Sequence, residues 1–214
     1  MKRVVVIGIG IFGFNLVKEL YESGVEVIAI DKNKDMVQDI ADFATKAIVS
    51  DGLEKNVLES LGLRENDVVV VSFGEDLAAS TLITLHLKQM KIRNIIVKAP
   101  NVEYKQVLES VGATEVIIPE KEMASKVARS LISPNILDYI PLAEDYIIGE
   151  IAPPAAFQGK TLADVHLRSK HNINVIAIRD TLTDTVSMVP PNYVIKDSEI
   201  LIVIGKSRDI DRIQ

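Results

Sequence analysis

The stretch VVVIGIGIFG, residues 4–13, followed by VIAID at residues 27–31, decides how this chain is read. An apolar run from Arg3 to Ile7 leads straight into Gly8, Gly10 and Gly13, and a second run, Val25 to Ile30, ends at Asp31. Strand, glycines, helix, strand and acid in that order make up a whole G-x-G-x-x-G fingerprint, whereas the glycines alone would be a weak signal. Gly8 permits the tight turn out of the strand. Gly10 lets the backbone approach a pyrophosphate with no Cβ in the way, and Gly13 allows the helix to pack close to the strand. The helix that follows aims free N–H groups at phosphate. Asp31 lies about 20 residues further on, where a carboxylate accepts hydrogen bonds from ribose hydroxyls and repels a 2′-phosphate. The expected ligand is an adenine nucleotide, ADP, ATP or NAD(H), and the alternative is a Rossmann relic that holds none.

Outward from the loop, short runs rich in Val and Ile recur at Val4 to Ile7, Val25 to Ile30, Ala47 to Val49, Val68 to Val71, Ile95 to Val97 and Val116 to Ile118, with helical stretches between them. Near-continuous apolar strands are buried on both faces, as in a parallel sheet covered by helices on each side. The fold class expected is α/β, a Rossmann-like doubly wound parallel sheet. A further helix is expected over Ala124 to Ile132, broken at Ser133-Pro134-Asn135 because proline disfavours helical geometry in the residue before it. A crossover then runs to about Asp145. The remainder reads as a smaller α+β unit, with strands at Ile147 to Ile151, Val175 to Ile178, Thr185 to Val189 and Ile200 to Ile204. One helix is expected around Leu162 to Arg168, a hairpin turn over Thr181 to Asp184, and a short helix from Ser207. The organisation expected is therefore a nucleotide-binding domain over 1–132, a linker over 133–145 and a C-terminal domain over 146–214.

At 214 residues and 48% hydrophobic content the chain can bury a proper core. A net charge of −6 argues against a sequence-independent grip on nucleic acid, which needs a basic stripe. With no cysteine, disulfides, thiolate metal sites and a cysteine nucleophile are excluded. Met1 to Phe14 has a basic start and an apolar stretch like a signal peptide, yet glycines at nucleotide-loop spacing explain it better as a first strand and turn. No run reaches the roughly 18 apolar residues of a bilayer span.

A dehydrogenase would need a general acid or base beside the nicotinamide. Of the three histidines, His86 sits within the helical run Thr81 to Met90, while His166 and His171 miss the spacing that puts two ligands on one helix face. Glu120 and Glu122 follow Pro119 at a helix start, where negative charge favours the dipole. Lys98 ends the fifth strand on the same edge as the glycine loop, within reach of a phosphate or merely at the surface. Asp51-Gly52 ends the third strand; the acid accepts from an adenine amino group and the glycine leaves room for the ring, or the pair is an ordinary turn. Helices over Ala78 to Leu87 and Met123 to Leu131 carry more apolar and small residues than one sheet face needs, which points to self-association.

With those residues placed, the chain resembles the cytosolic regulatory subunits of Ktr and Trk potassium uptake systems, built from N- and C-terminal RCK (regulator of potassium conductance) units. The resemblance rests on VVVIGIGIFGFNLVKEL, VIAIDKN, VSDG, SFGEDLAASTLITLHLK, IIVKAPN, VLESVGATEVIIPEKEMASKVARSL and NILDYI, then on FQGKTLADVHLRSKHNINVIAIRD and PPNYVIKDSEILIVIG. It implies a nucleotide site drawn from Gly8, Gly10, Ile11, Phe12, Gly13, Asp31, Lys32, Asp51, Gly52, Phe73, Gly74 and Lys98. Many Ktr-type members have arginine, near the terminal phosphate of ATP, where this chain has Ile11. The resemblance further implies that Glu120 helps hold a divalent cation between paired subunits. It also implies that Arg168 and Asn174 belong to a cyclic di-AMP site walled by Ile173, Val175 and Ile176 and rimmed by Pro190 and Pro191. Without that ligand, Arg168 simply ends a helix and Asn174 opens a strand. The function expected is a nucleotide-binding gating subunit, cytoplasmic and not an enzyme, that forms homodimers within a ring, usually an octamer. Its partner would be a potassium-translocating membrane subunit, which would hold it at the inner face of the membrane. The alternatives are a small NAD-dependent oxidoreductase and a nucleotide-sensing regulator of another membrane partner.

Overall fold

The odd and even residues of one four-residue strand face two different cores, and this sets the architecture of the first unit. The computed structural model describes residues 3–73, 76–132, 136–143 and 145–213. In it β1 (Val4–Ile7), α1 (Ile11–Glu22), β2 (Val27–Asp31), α2 (Lys34–Ile40), β3 (Lys46–Val49), α3 (Lys55–Ser60), β4 (Val68–Val71), α4 (Leu77–Gln89), β5 (Asn94–Lys98), α5 (Val102–Val111) and β6 (Glu115–Ile117) alternate along the chain. The strands pair in parallel in the order β3-β2-β1-β4-β5-β6. Val5 and Ile7 pack with Ile30, Val69, Val71, Ile83 and Ile95 on one face, while Val4 and Val6 pack with Val17, Val27, Ala29 and Ile40 on the other. Each fully buried Val or Ile among them contributes about 1.5–3 kcal/mol, and β1 supplies such side chains to both faces of the sheet.

Side-chain caps fix three helix starts in the first unit. Asn33 accepts the Asp35 N–H, Asp76 the Ala79 N–H and Asn101 the Tyr104 N–H, each at 2.9 Å. Helix α1 differs, since it starts at Gly10, which has no side chain to offer. At the opposite edge of the sheet, Arg3 clasps the buried Asp67 and donates to the Gly62 carbonyl at 2.8 Å, while the Arg64 N–H reaches Asp67 at 2.8 Å.

After β6, helix α6 (Pro119–Ile132) begins, and packing divides the chain into units 1–122 and 123–214. The second unit holds β7 (Ile136–Pro141), β8 (Tyr146–Ile151), α7 (Leu162–Val165), α8 (Leu167–His171), β9 (Asn174–Asp180), β10 (Thr185–Ser187), β11 (Glu199–Lys206) and α9 (Ser207–Ile210). Its strands form an antiparallel sheet in the order β10-β9-β11-β8-β7 over a core that includes Ile151, Ile173, Ile178, Leu201 and Val203. Buried Glu199 fastens the loop before β11 by accepting from the Tyr193 hydroxyl and, at 2.9 Å, from the Lys196 N–H. The turn over Thr181 to Asp184 falls where expected, with the Asp180 carboxylate accepting the Leu182 N–H at 2.8 Å.

Doubly wound sheet and smaller α+β unit match the class read from sequence, but two elements differ. Residues 136–141, expected inside the linker, are an edge strand that pairs with β8 through a register shift between Ile136 and Asp138. The helix expected around Leu162 to Arg168 is two, because His166 adopts a left-handed φ of 56°. A capping box between Thr161 and Asp164 starts α7, and the His166 turn ends it. The expected break at Ser133-Pro134-Asn135 lies outside the described residues.

Candidate functional site

The sheet order reverses between β1 and β4, and open α/β sheets bind ligands at the carboxyl ends of strands beside such a switch point. The glycine loop sits there. Gly8 turns with φ +95°, and its N–H donates to Ile30 O at 2.8 Å. A Cβ on Gly13 would lie 2.1 Å from the Gly8 carbonyl oxygen, so the helix can approach the loop only without one. A Cβ on Gly10 would meet nothing within 4 Å. Gly10 is the glycine that faces open space, ahead of a helix start with no side-chain cap. Ile11 follows, 88% exposed.

The Asp31 carboxylate first serves the protein itself. One oxygen accepts the Ile9 N–H at 2.6 Å and the other the Asn33 N–H at 2.8 Å. It thereby ties the glycine loop to the end of β2, and each oxygen keeps a lone pair for a hydroxyl. Lys32, between Asp31 and Asn33, is exposed. At β3 the turn reading fits: Asp51 accepts the Leu53 N–H at 3.0 Å, and a Cβ on buried Gly52 would lie 2.5 Å from Ile7 Cγ2. Gly52 is thus required by its own core neighbour, a packing demand distinct from room for a ring.

Phe73 lies behind the loop, its ring 3.3 Å from where a Gly8 Cβ would be; Gly74 lies outside the described residues. The adjacent Ser72 hydroxyl is buried without a hydrogen-bond partner among the described residues, and stands 3.4 Å from where a Gly13 Cβ would be. Sequence reading missed it, although a hydroxyl directly after β4 on the ligand edge is a usable signal. Lys98 ends β5 and pairs with Glu120 at 2.5 Å, with its ammonium 5.9 Å from the Phe12 ring centroid. Hydrogen bonding from Lys98 holds the Glu120 carboxyl below the usual range. Among the described residues no group of three His, Asp or Glu side chains could hold a metal ion by itself, and Glu120 stands as a single carboxylate.

In the second unit Arg168 and Asn174 line one groove of about 370 Å³, with Ile173, Val175, Val189 and Pro191. Arg168 is the second residue of α8, so it does not end a helix. Ile176, expected as a wall, is not part of the groove lining; it is exposed and lies where the register of β9 against β11 shifts, between Val175 and Ala177. Pro190 is likewise not part of the lining.

Two helices carry apolar surface. Leu82 and Leu85 are exposed on α4, and α6 exposes Met123, Val127, Leu131 and Ile132 while burying none of its residues. No helix of the described residues is long and apolar enough to cross a membrane.

Residues 4–119 match the TrkA-N domain family and residues 150–214 the TrkA-C domain family. The chain belongs to the TrkA-type RCK family. Over 213 residues it is 40% identical to the Ktr system potassium uptake protein C of Bacillus subtilis strain 168, covering 100% of this chain and 96% of that protein. The Ktr system potassium uptake protein A of the same organism is 38% identical over 213 residues, with the same coverage. The GsuK channel bound to NAD shares the fold of the RCK chain with a TM-score of 0.64 at 14% identity, over 98% of this chain and 38% of that one. The RCK chain thus spans well under half the length of that channel chain.

Proposed function

We propose that this RCK chain is the nucleotide-sensing regulatory subunit of a Ktr-type potassium uptake system, held at the inner face of the membrane by a potassium-translocating partner. It is a regulatory subunit and not an enzyme, in keeping with potassium uptake relatives that match it from end to end. The oxidoreductase reading is set aside on that ground. The observation that carries the proposal is the glycine loop: Gly10 opens onto free space ahead of an uncapped helix start, and Asp31 stands beside it. An adenine nucleotide, ADP, ATP or NAD(H), fits that chemistry, and NAD is the ligand of a structural relative.

The apolar faces of α4 and α6 support homodimers assembled into a ring, with eight copies expected. A divalent cation shared by Glu120 of paired chains belongs to the same reading. The groove holding both Arg168 and Asn174 supports cyclic di-AMP as a second ligand. Gating would follow population shift: a ligand moves the ring between shapes only by its differential affinity for them.

Calorimetry on the whole protein tests the nucleotide site. Asp31→Asn, which removes a charged acceptor, should weaken ADP, ATP and NADH by about 1.5–3 kcal/mol. Unchanged affinity for all three sinks the assignment. Vesicles holding the Ktr membrane subunit should then show potassium flux that depends on both this chain and nucleotide.

A further inference from the structure

Lys98 closes β5 on the edge of the sheet that carries the glycine loop, and its ammonium is held between two groups of this chain. Glu120 lies at 2.5 Å, and the ring of Phe12, a first-turn residue of α1, at 5.9 Å. The lysine side chain is 16% exposed and that of Glu120 64%, so the carboxylate is the member that solvent and ions reach. Phe12 belongs to the turn whose amides have no side-chain cap, which puts an anion bound there within a side-chain length of the ammonium. Ile11, in that same turn, brings no charge. A lysine ammonium has three donors on a flexible four-carbon stem, so it can turn from a carboxylate to a phosphate oxygen with the backbone unmoved.

We propose that Lys98 is a shared cation and Glu120 its internal competitor: the carboxylate holds the lysine back from the phosphates of a bound nucleotide and so sets how strongly the site favours the more anionic ligand. The inference rests on the nucleotide reading above. By linkage the coupling runs both ways. Whatever takes Glu120 off Lys98 strengthens the phosphate contact, and a phosphate that draws Lys98 away leaves Glu120 open to a cation.

The test is calorimetry on full-length wild type, Glu120→Gln, Lys98→Met and the double variant, with EDTA present, against ATP, ADP and NAD. Lys98→Gln replaces Lys98→Met if the latter lowers the melting temperature. Glu120→Gln should tighten ATP by roughly three- to tenfold, ADP by less and NAD least, as expected for one charge-assisted hydrogen bond near the surface. In the Lys98→Met background the gain should vanish. A gain that persists without Lys98, an equal gain for all three ligands, or no gain overturns the shared cation and leaves the nucleotide site standing. Failure of the wild type to bind any of the three overturns both.

Discussion

Gly10 and Gly13 share one loop and answer to different demands. Gly13 is fixed by a backbone neighbour, because a Cβ there would stand 2.1 Å from the Gly8 carbonyl oxygen, whereas Gly10 has empty space beside it. Gly13→Ala should therefore cost about 2–4 kcal/mol of folding stability. Gly10→Ala should leave the melting temperature nearly unchanged and weaken nucleotide binding; thermal melts with and without ADP separate the two. Asp67 offers a pH test. Burial alone would raise its carboxyl, but hydrogen bonds from the Arg3 side chain and the Arg64 N–H outweigh it and bring the folded value below the ordinary 3.8. A lowered value means the unfolded chain takes up the proton first. The contribution to stability is full above the ordinary aspartate value and is lost as pH falls through the folded one. Arg3→Ala should remove about 2–3 kcal/mol of stability at neutral pH and flatten the acid limb of a urea-midpoint profile below pH ~4. At this scale the glycines and Asp31 were legible because the fingerprint is local in sequence. The Ile9 amide on Asp31, the Ser72 hydroxyl and the Lys98–Glu120 pair were not, since each arises where separate strand ends meet.

Among the elements, α6 is the one that a single copy leaves unfinished. It runs from Pro119 to Ile132 without burying a residue, and Met123, Val127 and Leu131 repeat at a spacing of four along one stripe. Such a stripe is covered when copies associate. Val127→Asp should reduce the mass of the assembly seen by light scattering and leave the melting of the isolated chain within about 0.5 kcal/mol, as for an exposed substitution. A monomer in the wild type at micromolar concentration, with and without nucleotide, would contradict the ring. Strands β1 and β4 were readable to the residue because four β-branched residues in a row, in so short a run, favour a strand buried on both faces. Strand β7 was not, because Ile136 alone of its residues is buried and Asp138 and Pro141 interrupt the apolar pattern. The division of α7 from α8 escaped notice for another reason: His166 takes a left-handed conformation that residues other than glycine seldom adopt.

At the scale of the whole molecule, the first unit buries two clusters against the faces of its sheet, and the second has a separate one around Ile173, Leu201 and Val203. The alternation of strands and helices made the first unit plain, while the second, with antiparallel strands joined by irregular segments and a hairpin, was legible in outline only. Separate cores have a thermodynamic consequence. Unfolding need not be a single two-state event, and a calorimetric scan should resolve into two endotherms, one for each unit. A ligand raises the melting temperature only of the structure it holds, by an amount set by its concentration over its dissociation constant. Nucleotide should move one peak and a ligand of the Arg168 groove the other, so one thermogram reports which end of the chain has been occupied. A single endotherm that shifts as a whole with either ligand would instead mean that the two cores melt as one.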